Sequence, residues 1–210
     1  MDDKLIAFDY DGVIVDSLDH NLALAREAAR YVGHPRYPNR DDVERLDNMS
    51  FEDIARLIHV PEERVDDFAG YVYRRLYQGN NTLEVFPGIA QALAELARRH
   101  PLLVITANAQ SAASRFLESV GLLVHFNMVL GAETPGSKAQ KLSGAAKRLC
   151  VPPGRVYMVG DSVSDIREAK LAGVTSVAVT WGYHSEQKLV REGPDYLVHA
   201  PQEIAELLGR

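Results

Sequence analysis

The chain has 210 residues, 46% of them hydrophobic and 25% charged, which fits one domain, or a core with one modest insertion, and excludes a disordered chain. A formal net charge of -6 argues against a nucleic-acid binder, because such proteins neutralise phosphates with clustered Lys and Arg. The single cysteine, Cys150, excludes an internal disulfide, and the start Met1-Asp2-Asp3-Lys4 with its short apolar run fits neither a signal peptide nor a membrane span, so a cytoplasmic protein is expected.

Short apolar runs rich in strand formers recur at 5–8, 102–106, 127–130, 156–159 and 176–180. Between them Ile89, Leu93 and Leu96, then Phe116, Leu117 and Val120, then Leu142, Ala145, Ala146 and Leu149 follow helical spacing. Cys150, at the end of that last run, reads as a small buried apolar residue. The alternation predicts βαβ units and an α/β fold, a Rossmann-like doubly wound parallel sheet whose ligands bind at the carboxyl ends of strands. Residues 17–83 break the pattern with helical segments at 22–32, 51–58 and 65–76, and read as an inserted α-helical cap within a core of 1–16 and 84–210. Turn formers mark both crossings, Asp16-Ser17 and Gly79-Asn80-Asn81, and Phe86-Pro87-Gly88 opens the next helix.

At the end of the first run stands Phe8-Asp9-Tyr10-Asp11-Gly12-Val13. Two carboxylates one residue apart in an extended chain point to the same side, resist joint ionisation and would be relieved by a hard divalent cation such as Mg²⁺. One could then act as a nucleophile while the other transfers a proton; equally, Asp-Gly can be an acidic turn that ends a strand. A calcium loop of the helix-loop-helix type is excluded, because Gly12 comes too early for it. Val159-Gly160-Asp161-Ser162-Val163-Ser164-Asp165 forms a second acidic strand end, although Asp and Ser there also suit a helix N-cap. If both groups end strands of one sheet they reach one rim, where four aspartates without a metal would make a strongly negative pocket. Thr106, followed by Ala107 and Asn108, places a hydroxyl at another strand end before residues able to offer N–H groups to an anion, and is also an ordinary β-former. Lys138 lies at a further helix start, a position equally compatible with a solvated lysine. The stretch from Gly131 to Lys138 nearly spells a nucleotide-binding P-loop, but Ser137 separates the glycine from the lysine and Ala139 stands where Ser or Thr is required.

Taken in order, Asp9-x-Asp11, Thr106, Lys138 and Gly160-Asp161-Ser162-x-x-Asp165 resemble the four motifs of the haloacid dehalogenase superfamily. Each is weak alone; the ordered set is specific. The resemblance covers nearly all the chain, with 17–83 similar to the family's helical cap and 179–184 similar to the closing loop of phosphoglycolate-phosphatase-type members. It implies a Mg²⁺-dependent phosphatase that cleaves a small phosphomonoester, phosphoglycolate-like or a sugar phosphate, through an aspartyl phosphate. By the same resemblance Asp9 would be the nucleophile and Asp11 the acid and then the base. Mg²⁺ would be held by Asp9, the backbone carbonyl of Asp11 and Asp161, with Asp165 assisting. Thr106, Ala107, Asn108 and Lys138 would surround the phosphoryl group, with Lys141 an alternative for the lysine.

Rival activities turn on single positions. The superfamily's dehalogenases have no acid at the place of Asp11, and its phosphonate-cleaving members use a cap lysine, whereas residues 17–83 contain none. Mutase relatives carry a cap histidine; here His20 is one position early and Asn21 occupies the matching place. A non-catalytic binding protein of this fold would be expected to lose Asp9 or Asp11, and both are present. Substrate choice should lie in the cap, which has nine arginines from Arg26 to Arg75. Leu46-Asp47-Asn48-Met49-Ser50 stands where many relatives carry a basic residue and glycine in a substrate-contacting turn, a departure from the phosphoglycolate pattern. Trp181, Tyr183 and His184 stand where they could line the entrance, although aromatic residues after a strand more often serve packing, and His184 is not a metal candidate. The expected partner is a small phosphorylated metabolite, with no nucleic acid and no membrane; the sequence does not specify an oligomeric state.

Overall fold

The computed structural model describes residues 4–78 and 83–209, so the Met1-Asp2-Asp3 start and the expected Gly79-Asn80-Asn81 turn lie outside the described residues. The chain forms two compact units, Met1–Asp16 with Val85–Arg210, and Ser17–Glu84. The strands are β1 (Leu5–Phe8), β2 (Val15–Asp16), β3 (Glu84–Val85), β4 (Leu102–Ile105), β5 (Met128–Leu130), β6 (Val156–Gly160), β7 (Thr175–Val179) and β8 (Tyr196–Val198). Helices α1 (Leu18–Tyr31), α2 (Arg40–Arg45), α3 (Phe51–Leu57) and α4 (Glu62–Gln78) belong to the second unit, and α5 (Ile89–Leu96), α6 (Gln110–Ser119), α7 (Lys138–Arg148), α8 (Val163–Ala172), α9 (Glu186–Glu192) and α10 (Pro201–Leu208) to the first.

Six strands form one parallel sheet in the order β5-β4-β1-β6-β7-β8. β1 is wholly apolar and wholly buried because neighbours occupy both its edges and both its faces. Leu5 and Ala7 pack into a cluster with Leu142, Ala145 and Ala146 of α7 and Ala169 of α8; Ile6 and Phe8, equally buried, point to the opposite face. From β1 the chain proceeds outward through β4 to β5, then crosses to β6 and proceeds the other way. The reversal falls between β1 and β6, and open α/β sheets bind ligands beyond the carboxyl ends of strands at such a point.

The second unit has its own core. Ala25, Ala28 and Ala29 of α1 let it lie close to α4, whose Val65, Phe68, Ala69 and Val72 share a cluster with Phe51, Ile54 and Ala55 of α3. Asn39 and Asp42 form a capping box at the start of α2, and Ser50 caps α3 by accepting from the Asp53 amide. Among the described residues Arg36, Arg40, Arg56, Arg64 and Arg75 pair with carboxylates of the same unit.

Cys150 is exposed rather than buried. α7 ends two residues earlier, at Arg148, and Cys150 takes a left-handed conformation with φ 55° so that its amide reaches Lys147 O and the Val151 amide reaches Ala146 O at 2.9 Å. That is a Schellman closure with Cys in the usual glycine position, and it turns Val151, not Cys150, onto the core.

Candidate active site

The Asp9 amide donates to Val159 O at 2.9 Å, continuing the ladder one residue beyond β1, and there the pleat stops. Tyr10 O accepts from the Ile14 and Val15 amides, and Gly12 turns the chain at φ 74°. Asp9 and Asp11 are therefore not successive same-face positions of an extended strand, as their spacing suggested. Asp9 Oδ1 accepts from the Tyr10 amide at 2.8 Å, whereas Asp11 Oδ2 accepts from Asn108 Nδ2 at 2.6 Å. The hairpin-like turn gives the two carboxylates separate partners.

Asp161 and Asp165 come from the neighbouring strand end. Ser162 and Asp165 form the capping box that starts α8: Ser162 Oγ donates to Asp165 Oδ2 at 2.6 Å and accepts from the Asp165 amide at 3.3 Å. The N-cap reading of this segment and the ligand reading are thus compatible, since Asp165 Oδ1 stays directed elsewhere. Lys138 begins α7, capped by Ser137, and its Nζ sits 2.7 Å from Asp9 Oδ2 and 2.6 Å from Asp165 Oδ1. The Glu168 carboxylate accepts from the Ala139 amide at 2.6 Å and ties the start of α7 to α8. Lys141, the alternative lysine, donates instead to Gly131 O at 2.8 Å and anchors the loop before α7.

Thr106 lies just past β4 and is buried; its hydroxyl oxygen accepts from the Asn108 amide at 3.0 Å, which leaves the hydroxyl hydrogen to donate. The Asn108 amide serves Thr106 and its side chain holds Asp11. Ala107 lies between them in the same turn.

One carboxylate oxygen from each of Asp9, Asp161 and Asp165 lies within 4.8 Å of the others; the Asp11 side chain is not in that group. Burial lifts Asp9 to about 7, Lys138 opposes the lift, and Asp165 adds to it. Burial, then Asp165 and Asp9, likewise push Asp161 well above the usual carboxylate range. Burial works against the Lys138 charge, but the carboxylates of Asp165 and Asp9 outweigh it and raise its pKa above that of ordinary lysine. Lys141 is lowered, first by burial and then by Lys138. One half-buried and two buried carboxylates beside one ammonium form an under-compensated, all-oxygen donor set, which suits a hard divalent cation.

Backbone features invisible to residue typing complete the site. The Tyr183 amide donates to Asp161 Oδ2 at 2.7 Å. A Cβ on Gly12 would stand 2.6 Å from Asp161 Cγ, and one on Gly182 only 2.5 Å from Gly12 O, so two glycines clamp the Asp161 carboxylate at closest approach. These contacts carry no side-chain signature; only the glycines themselves signalled a close approach.

Residues 6–179 match the haloacid dehalogenase-like hydrolase family. The chain is 32% identical over 202 residues to a phosphoglycolate phosphatase of Synechococcus elongatus, covering 96% of this chain and 95% of that one. It is also 32% identical to a phosphoglycolate phosphatase of Chromobacterium violaceum, with 98% and 96% covered. A haloacid dehalogenase-like family hydrolase from Streptococcus pneumoniae superposes with a TM-score of 0.84 at 22% identity, covering 98% of each chain, which speaks to the fold. The chain therefore belongs to the haloacid dehalogenase-like hydrolases. Within that family it is a phosphatase, similar to the phosphoglycolate phosphatases. Among the described residues no helix is long and apolar enough to cross a membrane.

Proposed function

We propose that the protein hydrolyses a small phosphomonoester with the help of Mg²⁺, through a phosphoaspartyl intermediate on Asp9. The observation that carries this reading is the convergence of Asp9, Lys138, Asp161 and Asp165 at the point where the sheet reverses direction. Asp9, Asp161 and Asp165, with the Asp11 backbone carbonyl, would hold Mg²⁺, which would supply positive charge to the phosphoryl oxygens and to the clustered carboxylates.

In the first step an Asp9 oxygen attacks phosphorus, the bond to the ester oxygen breaks, and Asp11 gives its proton to the departing alcohol. In the second, Asp11, now a carboxylate, takes a proton from water as that water attacks the phosphoaspartate, releasing phosphate and restoring Asp9. Asn108 fixes the Asp11 carboxylate for both transfers. The Thr106 hydroxyl donates to a phosphoryl oxygen, and Lys138 offsets charge beside Asp9 as it develops. The names of the relatives make 2-phosphoglycolate the first substrate to try, beside sugar phosphates.

The test is phosphate release from a panel of such esters with Mg²⁺ or EDTA, for wild type and Asp9→Asn. Metal-dependent release abolished by Asp9→Asn supports the reading; turnover that persists in Asp9→Asn, or in EDTA, defeats it.

A further inference from the structure

His184 is almost completely buried, with 1% of its surface exposed. Its Nδ1 accepts from the Val163 amide at 3.0 Å. Val163 is the first residue of α8, and the first amides of a helix have no partner within it. The imidazole supplies that partner from a different segment. Because Nδ1 accepts, the ring proton resides on Nε2, and Lys188 Nζ, 3.3 Å from Nε2, is then a neighbouring donor rather than a partner.

The consequence is a two-point latch. At one end the His184 ring holds the start of α8; at the other the His184 amide meets Asp161 O at 3.4 Å, and the preceding amide, that of Tyr183, holds Asp161 Oδ2 at 2.7 Å. The Gly182-Tyr183-His184 segment thus runs alongside Asp161-Ser162-Val163, and Gly182 has no side chain that could push them apart. With Oδ2 taken by Tyr183, the orientation of the Asp161 carboxylate depends on the register between these two segments.

We infer that His184 is a positioning residue: by accepting the Val163 amide it locks the loop after β7 to the start of α8 and so aims Asp161 at the metal position. This rests on the metal reading given above. The requirement is specific to an acceptor at the δ position of the ring. Asparagine can present Oδ1 there, glutamine carries its acceptor one atom further out, and leucine has none.

Mn²⁺ binding to the purified protein, followed by its EPR signal, tests this with His184→Asn, His184→Gln and His184→Leu, alongside the metal-free melting temperature. Partners that orient a metal ligand are worth about ten- to a hundredfold in affinity. His184→Leu and His184→Gln are expected to lose that factor, and His184→Asn to retain most of the wild-type affinity. Wild-type affinity in His184→Leu overturns the inference, as does equal loss in the Asn and Gln variants, which would make the ring a matter of packing. If His184→Leu does not fold, the Asn and Gln pair alone decides. A wild-type protein that binds no Mn²⁺, or binds it unchanged after Asp161→Asn, removes the metal reading itself and this inference with it.

Discussion

Gly182→Ala separates steric crowding at the carboxylate from any other effect. Gly182 has no left-handed φ, so alanine can adopt its backbone without strain. The added Cβ, however, would lie 2.5 Å from Gly12 O and would overlap the Asp161 side chain. A backbone oxygen cannot rotate away, so the two segments must part by about 0.5–1 Å to restore ordinary contact. Overpacking of this kind costs about 1–3 kcal/mol, or roughly 2–12 °C of melting temperature for a chain of this size. A displacement of about 1 Å at a reacting group can lower turnover by about a hundredfold. The assay is a thermal melt with and without Mg²⁺, followed by phosphate release. A Gly182→Ala protein with wild-type melting and turnover would show that the clamp around Asp161 is looser than argued.

Gly144, inside α7, is exposed with open space where a Cβ would go, so Gly144→Ala should raise stability by about 0.5–1 kcal/mol in a urea melt with turnover unchanged. Lys138→Met removes the ammonium between Asp9 and Asp165; metal-free stability at neutral pH should fall by about 3 kcal/mol, with Mg²⁺ recovering part of it, as a calorimetric scan would read. In EDTA the raised Asp9 makes the folded protein bind more protons than the unfolded chain between the ordinary 3.8 and about 7. That contribution favours folding at low pH and fades as pH rises through about 7, so Asp9→Asn should flatten the loss of stability between pH 5.5 and 8 seen in denaturant melts. Asn108→Ala should slow alkyl phosphates by about a hundredfold and p-nitrophenyl phosphate far less, because a nitrophenolate leaves without a proton from Asp11; equal slowing in steady-state assays would separate Asn108 from that transfer.

The buried strands were readable because both their faces are covered: LIAF, LLVI and VYMVG stand out as short apolar runs between helical spacings. β8 was not readable, since it has three residues at a sheet edge, one of them an exposed tyrosine. α2 was equally hidden, its six residues burying one aliphatic side chain, Val43. Of the residues singled out, Asp9, Lys138, Asp161 and Asp165 meet in one cluster, which their order along the chain suggested. The extended-chain argument for Asp9 and Asp11 failed because it assumed that the strand continued, and Gly12 already turns it. His184 looked like packing because no residue type announces that its acceptor will serve a backbone amide far along the chain.

The central position of β1 has a consequence for synthesis. Its register partners are Leu102–Val104 on one edge and Val156–Val159 on the other, so a wholly apolar strand is made well before the segments that cover its two edges. At the usual ribosomal rate, the interval between Leu5 and Val156 lasts roughly 8–30 s. During that interval four consecutive apolar residues with at least one open hydrogen-bonding edge are available to any passing strand. A chaperone that captures extended apolar segments would find its binding site here, on the nascent chain, and lose it once β6 docks.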